Sequence, residues 1–138
     1  MQTEVPSVVL LDTHVVLWWQ AESDRLSKTA RKRIEDATTR LVSPVSFWEI
    51  AMLIGKGRVR LDRPTSAWVN DFLAADRVAV AELTPVIAVE AAELAAFHGD
   101  PADRMIVASA ISAGISLVTK DAKIKSWART SKRLTTMW

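Results

Sequence analysis

The sequence predicts an α/β chain, a three-layer sandwich in which a central, mainly parallel sheet is flanked by helices. Three observations lead there. Short apolar runs rich in aliphatic and β-branched residues alternate along the chain with longer segments of helical periodicity. The first such run, Val8-Val9-Leu10-Leu11, is apolar at every position, as a strand covered on both faces must be. The 138 residues, 49% hydrophobic and 25% charged with only 4 Gly and 5 Pro, suit one globular domain over residues 1–138 with no repeat and no separating linker.

The elements follow in order. The first strand stops abruptly at Asp12, and Val15 to Trp19 suit a short helix. Ser27 to Asp36 reads as a more exposed helix, with Arg31-Lys32-Arg33 a solvated basic face. Leu41-Val42-Ser43 is a candidate strand. Ser46 with Glu49 three residues on reads as a capping box opening a helix to Gly55 or Gly57. Phe47, Trp48, Ile50, Ala51, Met52, Leu53 and Ile54 leave that helix almost no polar side, so it is either fully buried or covered by a partner. A basic linker with Lys56, Arg58, Arg60 and Arg63 leads to a helix over Thr65 to Asp76 and a strand over Val78 to Leu83. Pro85 starts a helix through Phe97, and Asp100-Pro101 opens another ending at Gly114. Ser116 to Thr119 is a strand, Asp121 to Ala128 a short helix, and Lys132 to Trp138 a terminal strand.

Composition removes several classes of function. With 0 Cys there is no disulfide scaffold, thiolate metal site or cysteine nucleophile, which suits a reducing cytoplasm. Any metal must sit on oxygen or imidazole. The most apolar stretch, Val5 to Ala21, is broken by Asp12, Thr13 and His14 and is no membrane span. Met1 to Ser7 has no basic residue and no small-residue cleavage pattern, so no secretory signal is expected and the expected address is cytoplasmic. The 18 Lys and Arg exceed the 16 Asp and Glu by only 2, so net charge alone argues weakly for nucleic acid.

Where the acids stand says more. Ligands of open parallel sheets bind outside the carboxyl ends of the strands. Asp12 and Asp121 follow two strands closely, and Glu49 and Asp103 fall in the first turns of helices expected at the same edge. Carboxylates brought together raise one another's pKa, and a hard divalent cation such as Mg²⁺ or Mn²⁺ compensates them. The chemistry that follows is metal-assisted phosphodiester hydrolysis. Each acid also has a plainer reading. Glu49 completes a cap, Asp100 and Asp103 are the N-cap and first-turn acid of one helix, and Asp121 is an N-cap. Asp12 is hardest to explain so, because a carboxylate ending a buried strand has no propensity reason to be there.

Leu11-Asp12-Thr13-His14, Ser46-x-x-Glu49, His98-Gly99-Asp100-Pro101-Ala102-Asp103-Arg104 and Val118-Thr119-Lys120-Asp121 together resemble the ordered motifs of PIN-domain ribonucleases, specifically VapC-type toxins of toxin–antitoxin pairs. His-x-Asp-Pro-x-Asp-Arg is the most telling piece. The resemblance implies a PIN-like sandwich and a metal-dependent endoribonuclease using Mg²⁺ or Mn²⁺. Asp12 and Asp103 would be the principal metal pair, Glu49 the helix carboxylate that orients metal and water, and Asp121 the fourth acid. Thr13 and Thr119 would support them, and Asp100 serves capping first and metal second. The resemblance also implies an RNA substrate, a homodimer, and a cognate antitoxin lying in a groove beside the site, to which the apolar helix next to Glu49 would contribute.

Residues around these motifs are read more plainly. His14 and His98 are expected to be packed or hydrogen-bonded, not general bases, and Arg104 to form an ordinary salt bridge before it touches phosphate. Lys120, Lys123, Lys125, Arg129, Lys132 and Arg133 face one acid, Asp121, in the last 19 residues and form a candidate phosphate strip. Trp18, Trp19 and Trp48 are the aromatic residues placed to stack on bases. Without Asp12, Glu49, Asp103 and Asp121 the chain has 18 bases against 12 acids, a modestly basic body around one acidic notch. Two alternatives stand beside this reading. One is a catalytically silent PIN-like module that binds RNA or protein. The other is a Mg²⁺-binding receiver domain, which requires a phosphoacceptor Asp after a middle strand.

Overall fold

The structure is a computed structural model that describes residues 6–138, so the expectation of no secretory signal, which falls mainly on residues 1–5, lies outside it. The chain alternates β1 (Val8–Leu11), α1 (Thr13–Gln20), α2 (Lys28–Asp36), β2 (Thr39–Val42), α3 (Pro44–Gly55), α4 (Thr65–Leu73), β3 (Val78–Val80), α5 (Pro85–Ala92), α6 (Pro101–Ala113), β4 (Ser116–Val118), α7 (Ala122–Ser131) and β5 (Thr136–Met137). The five strands form one sheet in the order β3-β2-β1-β4-β5, every neighbouring pair parallel. No helix among the described residues is long and apolar enough to cross a membrane.

Strand alternation sends successive side chains to opposite faces. Val9 and Leu11 join Val15, Val16, Ile34 and Phe72 in a core under α1, α2 and α4. Leu10 points the other way and packs with Leu117, Ile106, Val107 and Ile124 under α6 and α7. Leu10 pairs with Leu41 on one side and Leu117 on the other, so β1 is central and wholly apolar for that reason. α5 lies outside α6, burying Ile87 and Ala91 against Ala108.

α4 ends at Leu73 instead of reaching Asp76, and the terminal strand keeps only Thr136–Met137, but the expected elements form. The capping box does not. Ser43 is the N-cap of α3, accepting from the Val45 N–H at 3.2 Å, and Pro44 opens the helix. Proline at the first helical position loses no hydrogen bond, so α3 starts three residues earlier, and Ser46 and Glu49 are free to face the sheet edge. β3 ends at Val80, because it is an edge strand that leaves the sheet for the Thr84 cap of α5. α5 stops at Ala92 instead of running to Phe97, and Ala96 sits at φ 59°.

Arg104 explains that last break. Its guanidinium donates to the carbonyls of Ala91 (3.0 Å), Phe97 (2.7 Å) and His98 (2.9 Å), groups that no helix satisfies. It forms no salt bridge with a described acid, contrary to expectation, and acts as a clamp that folds the α5–α6 connection back on itself. Gly114 closes α6 in the left-handed conformation, φ 66°, as expected. A second such clamp escaped the sequence reading. Arg40, buried in β2, donates to the carbonyls of Ile34, Glu35 and Asp76 and lies 5.0 Å from the Trp19 ring centroid.

The greasy helix α3 is not fully buried. Ser46 and Ile50 face inward, while Trp48 is 61% exposed and Ala51 is exposed beside it. α5 is similar, with Val86 65% and Val89 55% exposed, and both helices pack on α6.

Candidate active site

The order β3-β2-β1-β4-β5 reverses direction between β1 and β4, so the connections leave these two strands toward opposite faces and open a crevice at their carboxyl ends. Asp12 follows β1, and Thr119 and Asp121 follow β4. α6 starts at the same edge, and α3 contributes Glu49 from its second turn. Asp12, Glu49, Asp100, Asp103 and Asp121 therefore line one cleft of about 480 Å³, together with His14, Trp18, Arg25 and Lys120.

Two threonines hold the acids. Asp12 is the N-cap of α1 and 7% exposed, accepting from the Thr13 N–H (Oδ1, 2.8 Å) and the Thr119 hydroxyl (Oδ2, 2.7 Å). Thr119 in turn accepts the Asp121 N–H at 3.0 Å. The Thr13 hydroxyl lies 2.9 Å from Ser46 Oγ and also bonds Glu49 Oε1. A hydroxyl carries one proton, so Ser46 donates to Thr13, and Thr13 donates to the Glu49 carboxylate. Thr13 and Thr119 are fully buried, and with both partners in place neither leaves a polar atom orphaned.

Asp103 is held differently. Its backbone N–H is capped by Asp100 Oδ1 at 3.0 Å, and its Oδ2 lies 2.7 Å from His98 Nε2. His98 stacks on Phe97 with ring centroids 4.2 Å apart, and its carbonyl is gripped by Arg104. His98 is thus hydrogen-bonded, as expected, but to a site carboxylate. The signal lay in the His-x-Asp-Pro-x-Asp-Arg run itself, since a helix N-cap bends the chain enough for a residue five positions earlier to reach the first-turn acid. His14 is exposed, 5.8 Å from the Trp18 ring, and bonds no acid.

Asp100 and Asp121 are N-caps, as the plainer reading had it, yet they also line the cleft. Capping occupies one oxygen of each, Asp100 Oδ1 on Asp103 and Asp121 Oδ1 on Ile124 (2.9 Å), and leaves the second free. α1, α6 and α7 all begin here, and the partial positive charge at their N-termini offsets part of the acidic charge. The offset is incomplete. Burial, countered by Thr119 and Thr13, holds the Asp12 carboxyl above its usual range, with Asp121 adding to the rise. Burial and the charges of Asp12 and Asp100 raise Glu49 against its bond to Thr13. Asp103 is pushed up to about 6, first by burial and then by Asp12, Asp100 and Asp121, against the pull of His98.

In kind these donors fit a hard divalent cation. All are oxygens, and Asp12, Glu49 and Asp103 are driven toward their neutral forms, first by burial and then by neighbouring acids whose charge a cation would offset. Among the described residues no three His, Asp or Glu side chains already form an assembled ligand set. Each acid rests on its own hydrogen bond.

Of the candidate phosphate strip, Lys120 enters the cleft, 5.8 Å from the Trp18 ring, and Lys123 lines a neighbouring groove of about 640 Å³ beside His98. Lys125, Arg129, Lys132 and Arg133 line neither; α7 turns Ser126, Trp127, Thr130 and Ser131 to the groove instead. Trp18 borders the cleft, Trp19 packs edge-on against Phe72, and Trp48 stands on the outer face of α3.

Comparison with known proteins agrees with this architecture. The chain matches the PIN domain family over residues 9–130. It is 42% identical over 121 residues to Ribonuclease VapC22 of Mycobacterium tuberculosis, covering 87% of this chain and 92% of that one. Its fold resembles the crystal structure of VapBC2 from Rickettsia felis bound to a DNA fragment from their promoter, with TM-score 0.64 and 16% identity over 94% of this chain and 97% of that one. It likewise resembles VapBC-1 from nontypeable Haemophilus influenzae, with TM-score 0.67 and 16% identity over 94% and 96%. The family match ends the receiver-domain alternative.

Proposed function

The chain belongs to the PIN domain family, as a VapC-type ribonuclease, and from this premise we propose that it is the toxin of a toxin–antitoxin pair and hydrolyses RNA phosphodiester bonds with Mg²⁺ or Mn²⁺ held by Asp12, Glu49, Asp103 and Asp121. The observation that carries this reading is the gathering of those acids, from four separate segments, around the β1–β4 crevice. The ribonuclease name of the 42% identical relative supports the substrate class.

A bound divalent cation would lower the pKa of an attacking water and stabilise the leaving oxygen. The chain supplies the rest. Asp12 and Asp103 are the principal ligands, and Glu49, beside Asp12 and exposed to the cleft, orients the water and receives its proton. Thr119 and Thr13 fix the carboxylates of Asp12 and Glu49, and His98 fixes one oxygen of Asp103 so that the other faces the cleft. Asp121 and Asp100 offer their uncapped oxygens at the rim, Asp100 in a secondary role. Lys120, exposed beside Trp18, attracts phosphate to the mouth of an otherwise acidic notch.

Two partners complete the reading. A cognate antitoxin silences the site, in line with the VapBC assemblies whose fold this chain shares. A second copy covers the exposed apolar residues Trp48, Val86 and Val89, which flank α6. The cytoplasm is the compartment such an RNA-cleaving toxin requires.

Antitoxin-free protein incubated with structured RNA should cleave it in Mg²⁺ or Mn²⁺ and fall silent with EDTA or with Asp103→Asn. Cleavage that survives both treatments would overturn the assignment. Sedimentation of wild type and Trp48→Glu tests the dimer, which the charge should dissociate.

A further inference from the structure

The first turn of α3 holds a buried hydroxyl that has no part in starting the helix. Ser43 caps α3, and the Ser46 N–H only closes the turn on the Ser43 carbonyl at 3.0 Å. Ser46 is 0% exposed, so its hydroxyl has no water to turn to. A buried helical serine commonly returns its proton to the carbonyl four residues back, as Ser109 does to Met105 at 2.7 Å. For Ser46 that carbonyl belongs to Val42, and the Ala81 N–H already engages it at 2.9 Å where β2 pairs with β3. Among the described residues the Ser46 hydroxyl meets one partner, Thr13 Oγ1 at 2.9 Å.

That single contact decides where a proton sits in the site. Thr13 Oγ1 bonds both Ser46 and Glu49 Oε1 and has one proton to give, so the Ser46 donation directs the Thr13 proton to the carboxylate. Hydrogen bonds in such a chain polarise one another, and burial strengthens each of them. Thr13 is also the residue whose N–H holds Asp12 Oδ1 at 2.8 Å. One residue thus holds two of the site acids, and Ser46 braces it. Glu49 lines the cleft with Oε1 taken by this chain, while its Oε2 makes no hydrogen bond among the described residues.

We propose that Ser46 is a positioning residue for the cleavage reaction, its hydroxyl fixing the Thr13 proton on Glu49 Oε1 so that Oε2 is the oxygen left for the cleft. This rests on the ribonuclease reading above and adds to it a residue that bonds none of the four acids itself. Glu49 has a long side chain, and a carboxylate free to turn about its last bond presents either oxygen at varying angles. Holding Oε1 in a directed chain removes that freedom before substrate arrives, which is the preorganisation that catalysis needs. Packing alone does not call for the serine. An alanine would fill nearly the same space and leave no buried hydroxyl to satisfy.

The test uses the full chain freed of antitoxin. In EDTA, Ser46→Ala should raise the urea-unfolding equilibrium constant by about fivefold, and in a Thr13→Val background the same change should not destabilise, because the bond is then already gone. With Mn²⁺ and structured RNA, Ser46→Ala should lower kcat by about tenfold and leave KM unchanged, the size expected for a partner that orients a site ligand. Ser46→Thr, which keeps the hydroxyl, should recover most of kcat. Ile50→Val, one turn further along the same inward face, should destabilise by a similar factor and leave kcat near wild type, which separates positioning from stability. A wild-type kcat in Ser46→Ala would overturn the proposal. So would an equal loss of kcat in Ile50→Val, a rise in KM alone, or a destabilisation that persists without the Thr13 hydroxyl. Failure of the parent reading looks different, since wild-type protein would then cleave no RNA with Mg²⁺ or Mn²⁺ while the comparison in EDTA still stood.

Discussion

Thr119 Oγ1 joins the ends of the two central strands, donating to Asp12 Oδ2 at 2.7 Å and accepting the Asp121 N–H at 3.0 Å. One buried hydroxyl thus sets both the direction of a carboxylate and the start of α7. Thr119→Val keeps the shape and removes both bonds. It should cost about 1–3 kcal/mol of unfolding free energy, measured in urea, because a buried carboxylate loses its donor. Thr119→Ser should restore most of the stability and the cleavage rate.

Asp103 makes the metal-free protein pH-sensitive in a calculable direction. Its carboxyl titrates near 6 when folded and near 3.8 when unfolded, so between these values the folded chain binds more protons and stability falls as pH rises. Asp12 and Glu49, also raised, act with the same sign. Asp103→Asn removes this penalty. Its melting temperature should match wild type near pH 4 and exceed it by about 2–4 °C above pH 6, without metal, by calorimetry. A gain of equal size at both pH values would contradict the cause given.

The same titration should shape activity. Below about pH 6 Asp103 gains a proton and ceases to be an anionic ligand, so kcat/KM should fall on acidification. Raising Mn²⁺ should move the acid limb to lower pH, since metal and proton compete for one carboxylate. An acid limb that does not respond to Mn²⁺ would point to another group.

His98 positions Asp103 from the side opposite the cleft. His98→Ala should weaken Mn²⁺ binding by about tenfold or more in titration calorimetry, the usual effect of removing a partner that orients a ligand. His98→Gln, whose amide can still donate to Asp103 Oδ2, should recover part of the affinity. RNA binding should not change.

Arg104 acts at longer range. Lysine keeps its charge but cannot reach the carbonyls of Ala91, Phe97 and His98 together. Arg104→Lys should lose about 2 kcal/mol and slow cleavage through the loosened His98 loop, with the affinity for RNA unaltered. A drop in RNA affinity would instead make Arg104 a phosphate contact.

The strand–helix alternation, the apolar β1 and the helix starts at Ser27, Pro85 and Asp100 were legible because each depends on side chains within a few residues of one another. The acids were legible for a related reason. Asp12, Asp103 and Asp121 sit at chain reversals, where a carboxylate is either a cap or a functional group, and here Asp12 and Asp121 cap while lining the cleft. Ser46 and Glu49 misled as a capping box because their spacing also suits a capping box, and only the neighbouring Pro44 moves the helix start.

The sequence by itself determined the α/β class and the set of oxygen donors, since hydrophobic period and local chain chemistry are properties of short segments. Only the tertiary structure decided which residues serve those donors. Thr13 and Ser46 are 33 residues apart, and Thr119 and Asp12 are 107 apart, so no local pattern announces these bonds. They exist because parallel pairing of β1 with β4 and the packing of α3 against α1 bring chain segments together that the sequence keeps distant.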